Sequence, residues 1–157
     1  MKILQILYPN IEHCNLLIKL FNEIIELKED KKFHPHEFTY EFAYDLCTDY
    51  VGKDLYYIML DSDIDKDDQI IAYGLLRGWD NGYKIPCLGI YVSKNYRGKG
   101  FSKLLMNFLH LAAKNNGAEK IRLKVYKDNV TAVRLYKSFG YEFSYYDNKQ
   151  YLGIKTL

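Results

Sequence analysis

The chain has 157 residues, 48% of them hydrophobic and 27% charged, a length and balance that fit one globular domain and exclude a disordered or low-complexity protein. Its 22 basic and 20 acidic residues leave a net charge of +2, so no whole-molecule field draws nucleic acid or an anionic membrane. Any anion site must be local.

Lys2–Leu7 predicts a first strand, punctuated by Pro9-Asn10. Neither it nor any later apolar stretch reaches the ~20 residues of a membrane span. The opening MKILQILYPN also lacks the long apolar core and cleavage site of a signal peptide. Ile11, Leu16, Leu17, Leu20, Ile24, Ile25 and Leu27 then recur at helical spacing. A charged run, Lys28 to Lys32, and Phe33-His34-Pro35-His36 form a loop, because Pro35 biases His34 toward extended geometry. Thr39 caps a second helix with Phe42, Ala43, Leu46, Cys47 and Tyr50 on one face, and Gly52 stands where a glycine would end it.

Strands are predicted at Leu55–Leu60, Gln69–Arg77 and Tyr83–Val92, the last two joined as an antiparallel hairpin through a type I′ turn at Asn81-Gly82. A long helix runs from Gly100 to about Asn116, with Leu104, Leu105, Phe108, Leu109 and Ala112 on its stripe and Gly117 at its end. Lys120–Tyr126 is a strand and Asn129–Phe139 a helix closed by Gly140. Tyr141–Tyr146 and Tyr151–Lys155 form a terminal hairpin turning at Asp147-Asn148. The strand, long helix and strand have the form of a crossover, so those two strands should be parallel inside an otherwise antiparallel sheet. The expected class is α+β, one domain over residues 1–157, with a mixed sheet flanked by helices.

Val92-Ser93-Lys94-Asn95-Tyr96-Arg97-Gly98-Lys99-Gly100-Phe101-Ser102-Lys103 is the most informative stretch. Two glycines spaced by one residue allow a tight turn and an unobstructed backbone, and the helix start adds free N–H donors and partial positive charge. Arg97, Lys99 and Lys103 supply local cations. A phosphate or pyrophosphate fits, although a plain strand-to-helix connection would use the same residues. No Walker A sequence follows, and Lys103 stands where a dinucleotide fingerprint needs its third glycine.

Arg97-Gly98-Lys99-Gly100-Phe101-Ser102 resembles the acyl-coenzyme A pyrophosphate loop of the GNAT-type N-acetyltransferase superfamily, Gln/Arg-x-x-Gly-x-Gly/Ala, with Ser102 as a departure at the last position. Asn129 to Tyr141, with Ala132, Leu135, Tyr136 and Gly140 in place, is similar to that family's Asn-x-x-Ala-x-x-Leu-Tyr-x-x-x-Gly-Phe segment. The resemblance implies the GNAT fold, with the two parallel strands splayed around a cofactor cleft, and acetyl-coenzyme A as acyl donor. It places the pyrophosphate on the amides of Arg97, Gly98, Lys99, Gly100, Phe101 and Ser102, and the pantetheine arm along Ile90, Tyr91 and Val92. Asn129 would touch the cofactor, or only cap its helix. Tyr136 would protonate the departing thiolate, or only pack on the sheet. With a phenol near ~10 and a thiol near ~8.5, that transfer is modestly uphill.

Cys87 to Tyr91 offer no carboxylate to deprotonate an amine, so a water relay is expected, with His34 and His36 as relay or substrate-binding groups or simply solvated loop histidines. The Phe-His-Pro-His run resembles some bacterial members acting on amino sugars. The alternating aspartates Asp61 to Asp68 lack the glycine and glutamate of a calcium loop, and no metal is expected. Cys14, Cys47 and Cys87 have neither disulfide nor zinc spacing, which points to a reducing cytoplasm. No basic residue adjoins Cys87 to activate it, so direct attack by the amine is expected. The 16 tyrosines could line a polar cleft or half-buried strands. The expected function is acetyl transfer to a primary amine of a small molecule, such as an amino sugar. The alternatives are a non-catalytic acyl-coenzyme A sensor or partner-binding module, and a protein N-acetyltransferase. Partners are then a small amine, with neither nucleic acid nor membrane, and edge strands that would permit a homodimer.

Overall fold

A computed structural model describes residues 1–157. The elements are β1 (Lys2–Leu7), α1 (Cys14–Glu26), α2 (Tyr40–Thr48), β2 (Leu55–Asp63), β3 (Lys66–Arg77), β4 (Cys87–Val92), α3 (Phe101–Asn115), β5 (Lys120–Tyr126), α4 (Val130–Ser138), β6 (Glu142–Tyr145) and β7 (Gln150–Thr156). The seven strands form one sheet in the order β1-β2-β3-β4-β5-β7-β6. Every neighbouring pair is antiparallel except β4 and β5, the parallel pair that the crossover predicts. No helix is long and apolar enough to cross a membrane.

Each face of the sheet carries its own core. Leu17, Leu20, Phe21 and Ile24 of α1 recur at helical spacing, and with Ala43 and Leu46 of α2 they bury against Ile58, Tyr73, Leu75 and Tyr91. On the other face Leu105, Met106, Leu109 and Ala113 of α3 and Tyr136 of α4 pack on Ile71, Leu76, Leu88, Ile121 and Leu123. Strand alternation sends neighbouring residues of β3, β4 and β5 to opposite faces, with only Ile121, Leu123 and Val125 of β5 entering a core.

Several sequence expectations shift. The stripe of α3 is rotated, so Leu104 is exposed and Met106 is buried. Exposed Ile11, Ile25 and Leu27 likewise lie off the buried face of α1. Thr39 caps α2, its hydroxyl accepting from the Phe42 N–H at 3.1 Å, but the helix ends at Thr48, before Gly52 could act. β3 and β4 are antiparallel without a type I′ turn. The connection spans 78–86, Gly78 and Gly82 take positive φ, and Asn81 does not. Buried Asp54 organises that connection by accepting from the Gly78 and Asp80 N–H groups at 2.8 and 3.1 Å. The aspartate-rich stretch lengthens β2 and β3 into one hairpin, pairing Asp63 with Lys66.

Candidate active site

Sequence at the end of β4 produces a nest of free donors. Gly98 and Gly100 hold φ of +72° and +90°, a region that other residues enter only with strain, and Gly100 begins α3. Leu104 is the first residue of the helix to bond back, donating to the Gly100 carbonyl at 3.1 Å. The amides of Gly98 through Lys103 donate to no acceptor in the protein. No side chain caps this terminus, and a Cβ added at either glycine would meet nothing within 4 Å. The donors thus face open space at the positive end of a fifteen-residue helix, an arrangement suited to an anion.

Beside this nest the sheet opens. β4 and β5 share one ladder pair, Cys87 with Arg122, closed by the Arg122 N–H to the Pro86 carbonyl at 3.0 Å. Beyond it the strands diverge. Because Pro86 points its carbonyl at β5, alternation turns the peptide groups of Leu88, Ile90 and Val92 toward the gap, while Leu75 and Tyr73 of β3 pair with Gly89 and Tyr91. Ladder groups left without a strand partner need another, and an extended amide-bearing arm would supply it. The resulting cleft has a volume of about 1020 Å³. Its lining includes Ile90, Tyr91, Val92, Arg97, Gly98, Phe101, Ser102, Asn129, Tyr136 and His34. Lys99, Gly100 and His36 are outside the lining, and the Lys99 ammonium lies 5.4 Å from the Tyr96 ring centroid.

Tyr136 reaches the cleft from α4 and is 9% exposed. Its hydroxyl has no hydrogen-bond partner in the protein, and burial, with Cys87 nearby, pushes its pKa up to about 12. The transfer to a thiolate is therefore steeper than an ordinary phenol would give. Asn129 does cap α4, its Oδ1 accepting from the Ala132 N–H at 3.3 Å, and its amide nitrogen is left free beside the cleft. Cys87, without basic neighbours in sequence, has Arg77 and Arg122 as strand partners, yet burial outweighs those cations and raises its pKa.

The two loop histidines part company. His34 is exposed, lines the cleft and lies 3.0 Å from the Tyr126 hydroxyl. His36 turns into the first core, stacked on Phe42 at 3.8 Å and bonded to the buried Tyr73 hydroxyl at 2.9 Å. Desolvation lowers its pKa to about 4, so it stands neutral, packed in the core and outside the cleft lining, not a solvated or cleft-facing group like His34.

One network had no sequence signal. Glu23 of α1 accepts from the Tyr91 hydroxyl at 2.7 Å and from the Ser93 hydroxyl at 2.8 Å. Glu29 accepts two bonds from one terminal nitrogen of Arg97 at 2.8 and 3.0 Å, and the Arg97 Nε–H donates to the Val92 carbonyl at 2.9 Å. Burial and the two carboxylates raise the Tyr91 pKa. The loop before α2 is thereby tied to the glycine nest, and a Lys32–Asp128 ion pair of 2.8 Å ties it to the far wall. Glu23 and Glu29 lie 62 to 70 residues from the groups that donate to them, too far for any local pattern.

Comparison with known proteins agrees with this geometry. A family profile described as acetyltransferase (GNAT) family matches residues 20–141. A probable spermine N(1)-acetyltransferase of Bacillus subtilis subsp. natto is 32% identical over 77 residues, covering 46% of this chain and 50% of that protein. The N-acetyltransferase YobR of Bacillus subtilis (strain 168) is 44% identical over 52 residues, 33% of this chain and 21% of that one. The chain thus spans half the length, or less, of these curated relatives. Among solved structures, a GCN5-related N-acetyltransferase from Kribbella flavida superposes with a TM-score of 0.76 at 17% identity, covering 98% of each chain. The PaiA N-acetyltransferase of Thermoplasma acidophilum, solved with coenzyme A, gives 0.75 at 16% over 99% of each. The glycine nest, the splayed parallel pair and the profile spanning them converge: the chain belongs to the GNAT acetyltransferase family.

Proposed function

We propose that the protein is an acetyl-coenzyme A-dependent N-acetyltransferase acting by direct attack of a small-molecule primary amine on the thioester. The row of unpartnered amides from Gly98 to Lys103, set beside a gap in the sheet with free β4 peptide groups, carries the reading. Those amides hold the pyrophosphate, and Ile90 and Val92 guide the pantetheine arm. Such positioning, with N–H donors near the developing oxyanion, supplies much of the rate gain.

As the amine nitrogen bonds to the carbonyl carbon and the carbon–sulfur bond breaks, the Tyr136 hydroxyl gives its proton to the departing sulfur. His34, through a water, takes the proton that the amine loses. The free Tyr136 hydroxyl favours catalysis over a non-catalytic sensor, since a packing residue gains nothing from an unpaired phenol. Two matched relatives make spermine an acceptor to test, and the Phe33–His36 resemblance adds amino sugars.

Two measurements decide. At a hundredfold excess over Kd, acetyl-coenzyme A should stabilise the fold by about 2.7 kcal/mol, which raises Tm by several degrees. Thiol release should then appear with at least one amine of a panel spanning polyamines, amino sugars, amino acids and peptides. Absence of the thermal shift would sink the cofactor assignment. A shift without thiol release would sink catalysis, and release with peptides alone would make the protein a protein N-acetyltransferase.

A further inference from the structure

The closed end of the cleft is cationic. Arg77, Cys87 and Arg122 are successive cross-strand partners, so both guanidinium groups share the face of the sheet that carries α1 and α2, and Lys124 follows Arg122 on that face. All three cations line the cleft. Neither Arg122 nor Lys124 has a carboxylate within 4.0 Å. Arg77 has only Asp54, whose Oδ2 lies 3.9 Å from its Nε, beyond hydrogen-bond distance. The Nε–H groups of Arg77 and Arg122 are both buried without a hydrogen-bond partner. Buried orphan donors are rare, and two on neighbouring like charges call for an anion between or beside them. Aromatic groups fix the cations in place: Arg122 lies 5.0 Å from the Tyr83 ring centroid, and the Lys124 ammonium donates to the Tyr146 hydroxyl at 2.8 Å.

We infer that the acceptor carries an anionic group beside its amine, a phosphate or a carboxylate, received by Arg122 and Lys124 with Arg77 as the third cation. This rests on the acetyltransferase reading and deepens it. A guanidinium fork matches the paired oxygens of either anion. A polyamine would bring more positive charge to a site holding three cations and no free carboxylate. The same cations favour the neutral form of a nearby amine, the form that attacks, which fits a β4 strand without a carboxylate base.

Matched acceptors test this: ethanolamine phosphate against ethanolamine, γ-aminobutyrate against butylamine, and spermidine, each followed by thiol release. The anionic member of one pair should have a kcat/KM at least tenfold above its neutral partner and above spermidine, and the pair concerned tells phosphate from carboxylate. R122Q should shrink that ratio about tenfold, mainly through KM. K124Q, at an exposed position that leaves the fold intact, should shrink it in the same direction. Spermidine or the neutral amines as preferred acceptors, or an unchanged ratio in K124Q, would overturn the inference. Inorganic phosphate titrated with coenzyme A saturating, so that the glycine nest is filled, reads the site without turnover and should bind more weakly to R122Q. Phosphate binding of that kind without thiol release from any amine would instead overturn the underlying transferase reading, and the acceptor with it.

Discussion

Replacing Tyr136 with phenylalanine removes one oxygen from a buried ring, and the structure fixes what that should do. The hydroxyl bonds to nothing in the protein, so its loss strands no partner and Tm should hold within a degree or two. Burial holds the phenol at about 12. Against a thiol near ~8.5, the proton transfer is uphill by roughly 3.5 pKa steps, or about 5 kcal/mol. Part of that gap closes because a sulfur beside buried Tyr136 is desolvated too, as burial raises the neighbouring Cys87 thiol. General acids contribute about 10²–10⁴-fold, and an acid this weak belongs at the lower end, so Y136F should lose about 10² in kcat. Acetyl-coenzyme A affinity, set at the glycine nest, should stay nearly intact. The assay is steady-state thiol release across pH, with calorimetric binding beside it. Because the phenol ionises only near 12, wild-type kcat should show no alkaline fall near the ~10 of an ordinary tyrosine. Unchanged kcat in Y136F would remove Tyr136 from the chemistry, and a fall near ~10 that disappears in Y136F would refute the burial argument.

Glutamate at Gly100 should fold, since an added Cβ meets no protein atom, at a backbone cost of about 1–2 kcal/mol for positive φ. It should abolish the thermal shift with acetyl-coenzyme A, and a retained shift would count against the nest. Glu29→Gln frees Arg97 from its carboxylate while keeping an acceptor for Tyr91, so coenzyme A should bind severalfold tighter by calorimetry. With both partners partly exposed, stability should change by under about 1 kcal/mol. His36 has a folded pKa near 4 against ~6.5 unfolded, so the folded state binds fewer protons. Stability is then fully present above pH ~6.5 and declines toward pH 4, by up to roughly 3 kcal/mol. The gap between urea midpoints at neutral and acidic pH should narrow in H36F, and an equally steep acid decline there would assign the loss elsewhere. His110, also lowered to about 4 by burial, accounts for a similar decline that H36F retains and that only the double replacement removes.

The fold was legible wherever local chemistry decides it. Thr39, Gly117 and Gly140 mark helix ends by capping and left-handed geometry, and Gly98 and Gly100 announce the nest for the same reason. Helix stripes were readable to within one residue, enough to expose Leu104 instead of Met106. Asn81-Gly82 misled because buried Asp54, from the segment just before β2, holds the loop in a longer form that no dipeptide encodes. The site was half legible. Its backbone donors follow from glycine spacing, whereas the Glu23, Tyr91 and Glu29 network and the Arg77 and Arg122 pair arise from strand register and helix placement. His36 illustrates the limit: its sequence neighbour His34 meets solvent, and only the aromatic packing of Phe21, Phe38 and Phe42 turns His36 inward.

The lone ladder pair between β4 and β5 also has a mechanical meaning. Across that line the sheet is a seam with one stitch, and the two sides otherwise meet through the core that α3 and α4 cover. A molecule lying in the seam would act as mortar, bonding to each bank at once. Amide hydrogens at Ile90 and Val92 should therefore exchange quickly in the free protein and slow sharply once the seam is filled, while those of the β2–β3 hairpin should not change.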